Sequence, residues 1–149
     1  MHRILILHGP NLHALGTREP EVYGRVTLGD VDARLRSLAT ELGIELETLQ
    51  SDHEGVLLDA LWRARGRCHG VVLNPGGLTH TSVALRDAVK GCGLPTVEVH
   101  VSNPQARETF RHSSLTAGAA LAVVAGFGAA GYALALRGLI EHLAHGPQS

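Results

Sequence analysis

The sequence predicts an α/β fold, a three-layer doubly wound sheet of five parallel strands with helices on both faces. Short apolar runs alternate with helical patterns along the chain, which is the order of elements that a parallel sheet requires. The first run, Arg3–His8, is apolar at consecutive positions, as expected for a strand that helices cover on both sides. The length of 149 residues suits one domain, and right-handed crossovers then place helices on both faces of the sheet.

The first predicted strand, Arg3–His8, precedes the longest connection in the chain. Residues 9–26 are rich in Gly, Pro and Asn and far exceed the ~2–6 residues of an ordinary strand-to-helix loop, so we expect them to have a function. Thr27 then caps a helix with apolar residues at helical spacing, and Gly43 ends that helix. Ile44–Leu49 is the second predicted strand.

The later elements repeat this alternation. The next is a helix from about Glu54 to Arg65 with Leu57, Leu58, Leu61 and Trp62 on one face. It is followed by a strand at Val71–Leu73, a helix from about Ser82 to Lys90, a strand at Thr96–Val101, a short helical piece near Arg107–His112, a strand at Ala122–Ala125 and a helix from about Ala129 to Ala144. The usual order of five such strands is 2-1-3-4-5, the flavodoxin-like order. We therefore expect a single flavodoxin-like domain over residues 1–149.

The composition excludes several classes of protein. The net charge is −1 and aromatic residues make up 3% of the chain, which does not suit a nucleic-acid-binding surface. Cys68 and Cys92 have neither a zinc-like nor a C-x-x-C spacing, so we expect two reduced thiols in a cytoplasmic protein. The first residues lack the apolar stretch of a secretory signal. The uncharged stretch from Ser113 to Leu136 is long enough to cross a bilayer, but its many small residues predict a buried strand followed by a buried helix.

Polar side chains collect where the predicted strands end. Because ligands of such sheets bind beyond the carboxyl ends of the strands, we expect an active site at this edge. The residues are His8, Asn11, Arg18, Glu19 and Tyr23 after the first strand; Gln50, Ser51, Asp52, His53 and Glu54 after the second; Asn74, Gly76, Gly77, Thr79 and His80 after the third; and Glu98, His100, Ser102, Asn103, Arg107 and Arg111 at and after the fourth.

Two segments at this edge allow a functional and a structural interpretation. In Asn74–Ser82, glycines let the backbone approach a ligand and hydroxyls stand at a helix start that attracts anions, but an ordinary capped turn uses the same residues. In the fourth strand, a period of two puts Glu98 and His100 on one face. A carboxylate there can fix the tautomer of the imidazole for catalysis, or the two side chains can form a structural pair.

Motifs for nucleotides and metals are absent or incomplete. Gly126–Gly131 matches G-x-G-x-x-G, but no second strand of a dinucleotide-binding unit follows, so we interpret it as close helix–strand packing. There is no H-E-x-x-H, paired-cysteine, EF-hand or P-loop pattern. We expect neither a metal nor a cofactor.

Six segments resemble, in order, those of the type II 3-dehydroquinate dehydratases, and together they cover about residues 4–143. They are GPNLHALGTREPEVYG, QSDHEG, LNPGGLTHTSVALRDA, VEVHVSN, ARETFRHSS and GFGAAGY. The resemblance implies a flavodoxin-like hydro-lyase of the shikimate pathway, which supplies aromatic amino acids, or of quinate breakdown, acting without cofactor or metal. The implied reaction is anti elimination of water from 3-dehydroquinate through an enolate, with no lysine imine, to give 3-dehydroshikimate. The implied assembly is a dodecamer, a tetramer of trimers.

The resemblance also implies catalytic roles. Tyr23 matches the base, and Arg18 matches the guanidinium that stabilises its phenolate, which is needed because free tyrosine has a pKa near ~10. His100 matches the general acid, and Glu98 matches the carboxylate that keeps it protonated and aligned. Asn11 matches the residue that holds a water against the enolate oxygen.

Further positions match substrate contacts and a moving segment. The contact positions are Asn74, His80, Val101, Ser102 and Arg111, with backbone amides near Ser102 receiving the substrate carboxylate. Asp87 matches a residue that reaches the neighbouring subunit's site. Residues 9–26 match a lid that carries the base and its arginine. Arg107 is retained, and we interpret it as a structural residue or one behind the substrate contacts.

The chain departs from the family pattern at four positions, and two other classes of function remain open. The departures are His8, His13, Pro104 and Gln105, and they put loop rigidity and pH dependence in question because His8 could titrate beside Asn11. A non-catalytic flavodoxin-like module, such as a signalling receiver or a flavin carrier, would need clustered aspartates or aromatic loop residues that the chain largely lacks. A metal-dependent hydrolase would use His80, His100 and Glu98.

Overall fold

The computed structural model describes residues 1–17 and 19–146 and, within them, every side chain except that of Tyr23. Five parallel strands form one sheet in the order β2-β1-β3-β4-β5. They are β1 (Arg3–His8), β2 (Glu45–Gln50), β3 (Gly70–Asn74), β4 (Thr96–His100) and β5 (Ala122–Ala125). This topology confirms the prediction, and every strand boundary lies within one residue of the predicted one. His8 pairs with Gln50 on one side and with Asn74 on the other, so the loops after β1, β2 and β3 leave the sheet at one level.

Five α-helices lie within the described residues, and two of them begin with a side-chain cap. They are α1 (Pro20–Tyr23), α2 (Leu28–Leu42), α3 (Glu54–Ala64), α4 (Val83–Cys92) and α5 (Ala130–His145). At the start of α2, the Thr27 hydroxyl accepts the Asp30 N–H and the Asp30 carboxylate accepts the Thr27 N–H, both at 3.1 Å. Gly43 ends α2 in the left-handed conformation, as predicted.

Two apolar clusters lie on opposite faces of the sheet. Ile4 and Ile6 belong to the cluster that contains the apolar residues of α2 and α5, whereas Leu5 and Leu7 belong to the one that contains those of α3 and α4. Because successive side chains of a strand point to opposite faces, β1 contributes to both clusters. The result is the predicted three-layer arrangement.

The last strand and helix pack closely but leave one face open. A Cβ on Gly131 would lie 3.3 Å from Cγ2 of Val99 and 3.6 Å from Cγ1 of Val124, so α5 lies directly against β4 and β5. The packing interpretation of Gly126–Gly131 is therefore confirmed. The prediction of a buried fifth strand was wrong, because β5 is an edge strand and Val123 remains 48% exposed. Among the described residues, no helix has the length and apolar character needed to cross a membrane.

Trp62 was predicted on the same helix face as the core leucines, but it does not point into the core. It is 45% exposed, and its indole lies on α4, where a Cβ on Gly91 would come within 2.6 Å of the ring. Leu57 and Leu61, which were predicted on the same face, are buried as expected, together with Ala60. Trp62 therefore covers the junction between α3 and α4.

Candidate active site

Two loops meet at the carboxyl edge of the sheet and form the base of the site. The Gly9 N–H after β1 donates to the Asn74 carbonyl at the end of β3, at 2.7 Å. A Cβ on Gly9 would lie 2.7 Å from the Pro75 carbonyl oxygen, so any other residue would push the loops apart. The sequence selects glycine here because the backbones are in direct contact.

A cavity of about 150 Å³ opens above these loops. The predicted site residues that line it are Asn11, Asn74, His80, His100, Val101, Ser102 and Arg111. They come from the loops after β1, β3 and β4, which the level ends of the strands bring together. The predicted location of the site is thus where the structure has a cavity. Asp87, in contrast, is exposed on α4 and is not part of the cavity wall.

The pair formed by Glu98 and His100 lies at the bottom of the cavity. Nε2 of His100 is 2.7 Å from Oε2 of Glu98, and the His100 side chain is 11% exposed. A carboxylate oxygen accepts, so Nε2 carries a proton and the ring orientation is fixed. Nδ1 of His100 has no hydrogen bond to the described residues. His100 is therefore a cavity-lining imidazole held from behind by a buried carboxylate.

Two threonine hydroxyls contact the Glu98 carboxylate, which is 1% exposed, and a serine hydroxyl contacts one of them in turn. Thr116 donates to Oε1 and Thr79 lies 3.2 Å from Oε2, while the hydroxyl of Ser114 lies 2.6 Å from that of Thr79. Burial by itself would raise the pKa of Glu98, but the hydrogen bonds from His100 and the two threonines outweigh it and hold the pKa below its usual range. Glu98 is therefore charged at neutral pH. Sequence reasoning named Thr79 among the polar residues after the third strand but missed Ser114 and Thr116, which lie 35 and 37 positions later and precede β5.

Basic side chains form another wall of the cavity. Nη1 of Arg107 donates to the Ser102 hydroxyl at 3.3 Å, and Nε of Arg111 donates to Glu108 at 3.1 Å. Arg107 lines the cavity and is not only a structural residue, although it also positions Ser102. His80 donates from Nδ1 to the Ser113 carbonyl at 2.8 Å, which leaves Nε2 for a ligand. This wall is suited to an anionic ligand with several oxygens.

Asn11 is held by a partner that sequence reasoning did not assign. It adopts a left-handed conformation with φ of +71°, and its N–H donates to Oδ1 of Asp52 at 2.9 Å. That hydrogen bond, together with those from Gln50 and His13, holds the pKa of the Asp52 carboxyl below its usual range. Asp52 lies in the loop after β2, 41 positions from Asn11, so no local pattern could reveal the contact.

Residues 9–26 are partly ordered by short helical segments. Leu12–Ala14 forms a 3-10 turn and Leu15 is buried in the core, which anchors the first half of the segment. A Cβ on Gly16 would lie 2.7 Å from the Arg25 carbonyl oxygen, so the chain returns to the same place before and after residues 17–24. Gly16 and Arg25 therefore form a closed stem, as in an Ω-loop.

The predicted base and its arginine belong to this loop. Tyr23 is the last residue of α1, and Arg18 lies outside the described residues. Glu21, Val22 and Gly24 line a crevice that shares Val101, Ser102 and Arg107 with the cavity. The backbone that carries Tyr23 thus flanks the cavity.

The positions that depart from the family pattern have different surroundings. His8, which was expected to be a group beside Asn11, is completely buried and contacts Asp32 and Tyr132, because the end of β1 is covered by α2 and α5. His13 is exposed and lies 3.1 Å from Asp52. Pro104 lines the cavity, and Gln105 donates to the His112 carbonyl at 2.9 Å. No three His, Cys, Asp or Glu side chains of the described residues form a metal-binding group.

Comparisons with known proteins agree on one family. The model of the family described as "Dehydroquinase class II" matches residues 2–140. A 3-dehydroquinate dehydratase from Gloeobacter violaceus is 59% identical over 92% of this chain and 86% of its own length. The catabolic 3-dehydroquinase 2 of Aspergillus flavus is 54% identical over 96% of this chain and 95% of its own.

The same family contains similar solved structures. The crystal structure of type II dehydroquinase from Butyrivibrio crossotus superposes with a TM-score of 0.92 at 37% identity, covering 93% of this chain and 97% of that one. The family match over residues 2–140 includes every residue that lines the cavity. The chain therefore belongs to the class II dehydroquinase family.

Proposed function

We propose that this protein removes water from 3-dehydroquinate by anti elimination through an enolate and releases 3-dehydroshikimate, as a shikimate-pathway hydro-lyase. The observation that carries the proposal is the cavity at the sheet edge, in which a carboxylate-held histidine faces a wall of arginine, histidine and amide groups. The relatives named above as dehydratases of this substrate support it. 3-Dehydroquinate is an anionic, multiply hydroxylated ring, which suits such a wall.

His100 is the proposed acid that protonates the leaving hydroxyl. The ionised Glu98 accepts the hydrogen bond from Nε2 at 2.7 Å and so fixes the orientation of the ring. The other ring nitrogen is then the group that gives its proton to the leaving oxygen. Glu98 acts through His100 and has no contact with the cavity of its own.

Tyr23 is the proposed base, with Arg18 stabilising its phenolate. The location of α1 beside the crevice supports this assignment, since closure of residues 17–24 over the cavity would bring Tyr23 to the substrate. The stem between Gly16 and Arg25 would act as the hinge. The proposed lid then consists of residues 17–24 and is shorter than the lid over residues 9–26 that the resemblance implies.

The remaining site residues would bind the substrate. Asn11 would hold a water against the enolate oxygen, and its left-handed backbone, fixed by Asp52, aims it at the cavity. The carboxylate would bind at the amides of Val101 and Ser102 beside Arg111, while Asn74 and His80 would contact the ring hydroxyls.

We also propose a dodecamer, built as four trimers, in which Asp87 reaches a neighbour's site. Exposed apolar residues at and beyond the edge strand support an assembly, since Val123 is 48% and Phe127 65% exposed. Sedimentation velocity tests this proposal, and a monomer would contradict it. A cytoplasmic location is supported by the two buried free thiols, Cys68 and Cys92.

The activity is tested by adding 3-dehydroquinate to the purified protein with a chelator present and following the ultraviolet absorbance of the enone product. We expect turnover to continue without metal or nucleotide. Tyr23→Phe should lower kcat by several orders of magnitude while substrate still binds. Borohydride with substrate should leave the enzyme active, and covalent trapping on Lys90, the single lysine, would contradict the mechanism.

A further inference from the structure

Four polar side chains form a hydrogen-bonded chain that runs from α2 to the wall of the cavity, and we call it the His8 network: Asp32, His8, Tyr132 and Asn74. Nε2 of His8 lies 2.9 Å from Oδ1 of Asp32, and Nδ1 lies 3.1 Å from the Tyr132 hydroxyl. Nδ2 of Asn74 donates to the same hydroxyl at 2.9 Å. Only Asn74 lines the cavity.

The hydrogen bonds of the His8 network can run in one direction only. Oδ1 of Asn74 accepts the Gly76 N–H at 3.0 Å, so the amide group must present Nδ2 to Tyr132. The Tyr132 hydroxyl accepts that hydrogen bond and can donate its own proton to Nδ1 of His8. Nε2–H of His8 then donates to the Asp32 carboxylate.

This arrangement requires a neutral His8 with its proton on Nε2. If Nδ1 also carried a proton, Tyr132 would receive two donors, and its own proton would have no acceptor among the described residues. Burial raises the pKa of Tyr132 far above its ordinary value, so its hydroxyl stays protonated and available as a donor. Asp32 selects the tautomer by accepting from Nε2.

We infer that His8 is a positioning residue for substrate binding, because through Tyr132 it supports the second of the two contacts that hold the Asn74 amide, the first being the Gly76 N–H. The inference rests on the proposed role of Asn74 as a substrate contact. His8 is completely buried and Asn74 is 3% exposed, so water cannot replace a missing partner in the network. Without the acceptor at Nδ1, the Tyr132 hydroxyl proton must point toward the Asn74 amide. The amide cannot turn over to accept that proton without losing the hydrogen bond between its Oδ1 and the Gly76 N–H.

Two amide substitutions of His8 separate the two ends of the network. In His8→Asn, Oδ1 takes the place of Nδ1 and still accepts from Tyr132, while the contact with Asp32 is lost. In His8→Gln, the terminal amide takes the place of Nε2 and reaches Asp32, while Tyr132 loses its acceptor. Tyr132→Phe keeps the buried ring and removes only the hydroxyl.

The experiment compares KM, kcat and Tm of the wild type with those of these variants and of Asn74→Ala. We expect KM to rise about tenfold in His8→Gln and in Tyr132→Phe, the value for one lost hydrogen bond, with kcat within about twofold. His8→Asn should keep KM within about twofold of the wild type. A role in stability alone would lower Tm in both His8 variants and leave KM unchanged.

The outcomes separate this inference from the proposed function. Equal KM values in the two His8 variants would overturn the inference. An unchanged KM in Tyr132→Phe would also overturn it, and this second test remains available if His8→Gln does not fold. If Asn74→Ala raises KM but Tyr132→Phe does not, only the His8 inference is wrong. If Asn74→Ala leaves KM unchanged, the proposed substrate contact is wrong and the inference falls with it.

Discussion

Replacing Glu98 by Gln tests the proposed acid pair most sharply. The substitution keeps the size of the side chain and removes the charge that His100 contacts at 2.7 Å. A hydrogen bond to a charged group contributes about 1.5–3 kcal/mol, and the residue is 1% exposed, so solvent does not replace it. If that energy acts in the transition state, kcat falls about 10- to 150-fold. KM should change little, because Glu98 lies behind His100 and does not line the cavity.

The assay follows the enone absorbance over a range of substrate concentrations, with urea unfolding as a check on folding. Glu45→Gln is the matched control, because it removes the same charge from an exposed pair with Arg3, 2.9 Å apart and outside the cavity. The control should keep its kcat. A folded Glu98→Gln enzyme with kcat within twofold of the wild type would refute the role of Glu98.

Three further predictions follow from named contacts. Because the pKa of Glu98 is lowered on folding, its charge stabilises the fold above about pH 4.3, and this contribution is lost as the pH falls through the lower pKa of the folded state. In urea titrations, Glu98→Gln should therefore lose less stability than the wild type between about pH 5 and 3. Parallel curves of stability against pH for the two proteins would contradict this. Asp52→Ala should lower kcat about 3- to 10-fold, because the Asn11 backbone loses the hydrogen bond that holds it. His13→Ala removes only the exposed partner of Asp52 and should leave kcat unchanged. Equal effects of the two substitutions would contradict the role of Asp52. Gly16→Ala should lower the free energy of unfolding in urea by about 1–3 kcal/mol and lower kcat/KM, because the φ of residue 16 is +89° and the new Cβ meets the Arg25 carbonyl. Wild-type values would show that the backbone at this stem adjusts without cost.

The sequence predicted those features that depend on local patterns. Short apolar runs located all five strands to within one residue, and those of β1 and β3 are continuous because both faces of these strands are buried. Alternation along β4 placed Glu98 and His100 on one face, which the 2.7 Å contact confirms. The level ends of parallel strands then explain why loops far apart in sequence share one cavity.

Features that depend on pairing between distant segments could not be predicted. His8 and Tyr132 are 124 positions apart, and only packing of α5 against β1 shows that the histidine is buried instead of facing Asn11. The exposure of Val123 is likewise a property of the sheet edge, because an apolar strand has the same sequence whether or not a helix covers it. Trp62 misled for a related reason, since helical spacing does not distinguish the core from a groove between neighbouring helices.

The stereochemistry of proton removal tests the central claim most directly. Separate acid and base groups, one on β4 and one on the loop of residues 17–24, should act on opposite faces of the ring. The measurement uses 3-dehydroquinate with deuterium at one of the two hydrogen positions of the carbon that loses the proton, next to the ketone. NMR of the product then shows which of the two hydrogens is retained. The account predicts loss of the hydrogen trans to the departing hydroxyl, and loss of the cis hydrogen would contradict it.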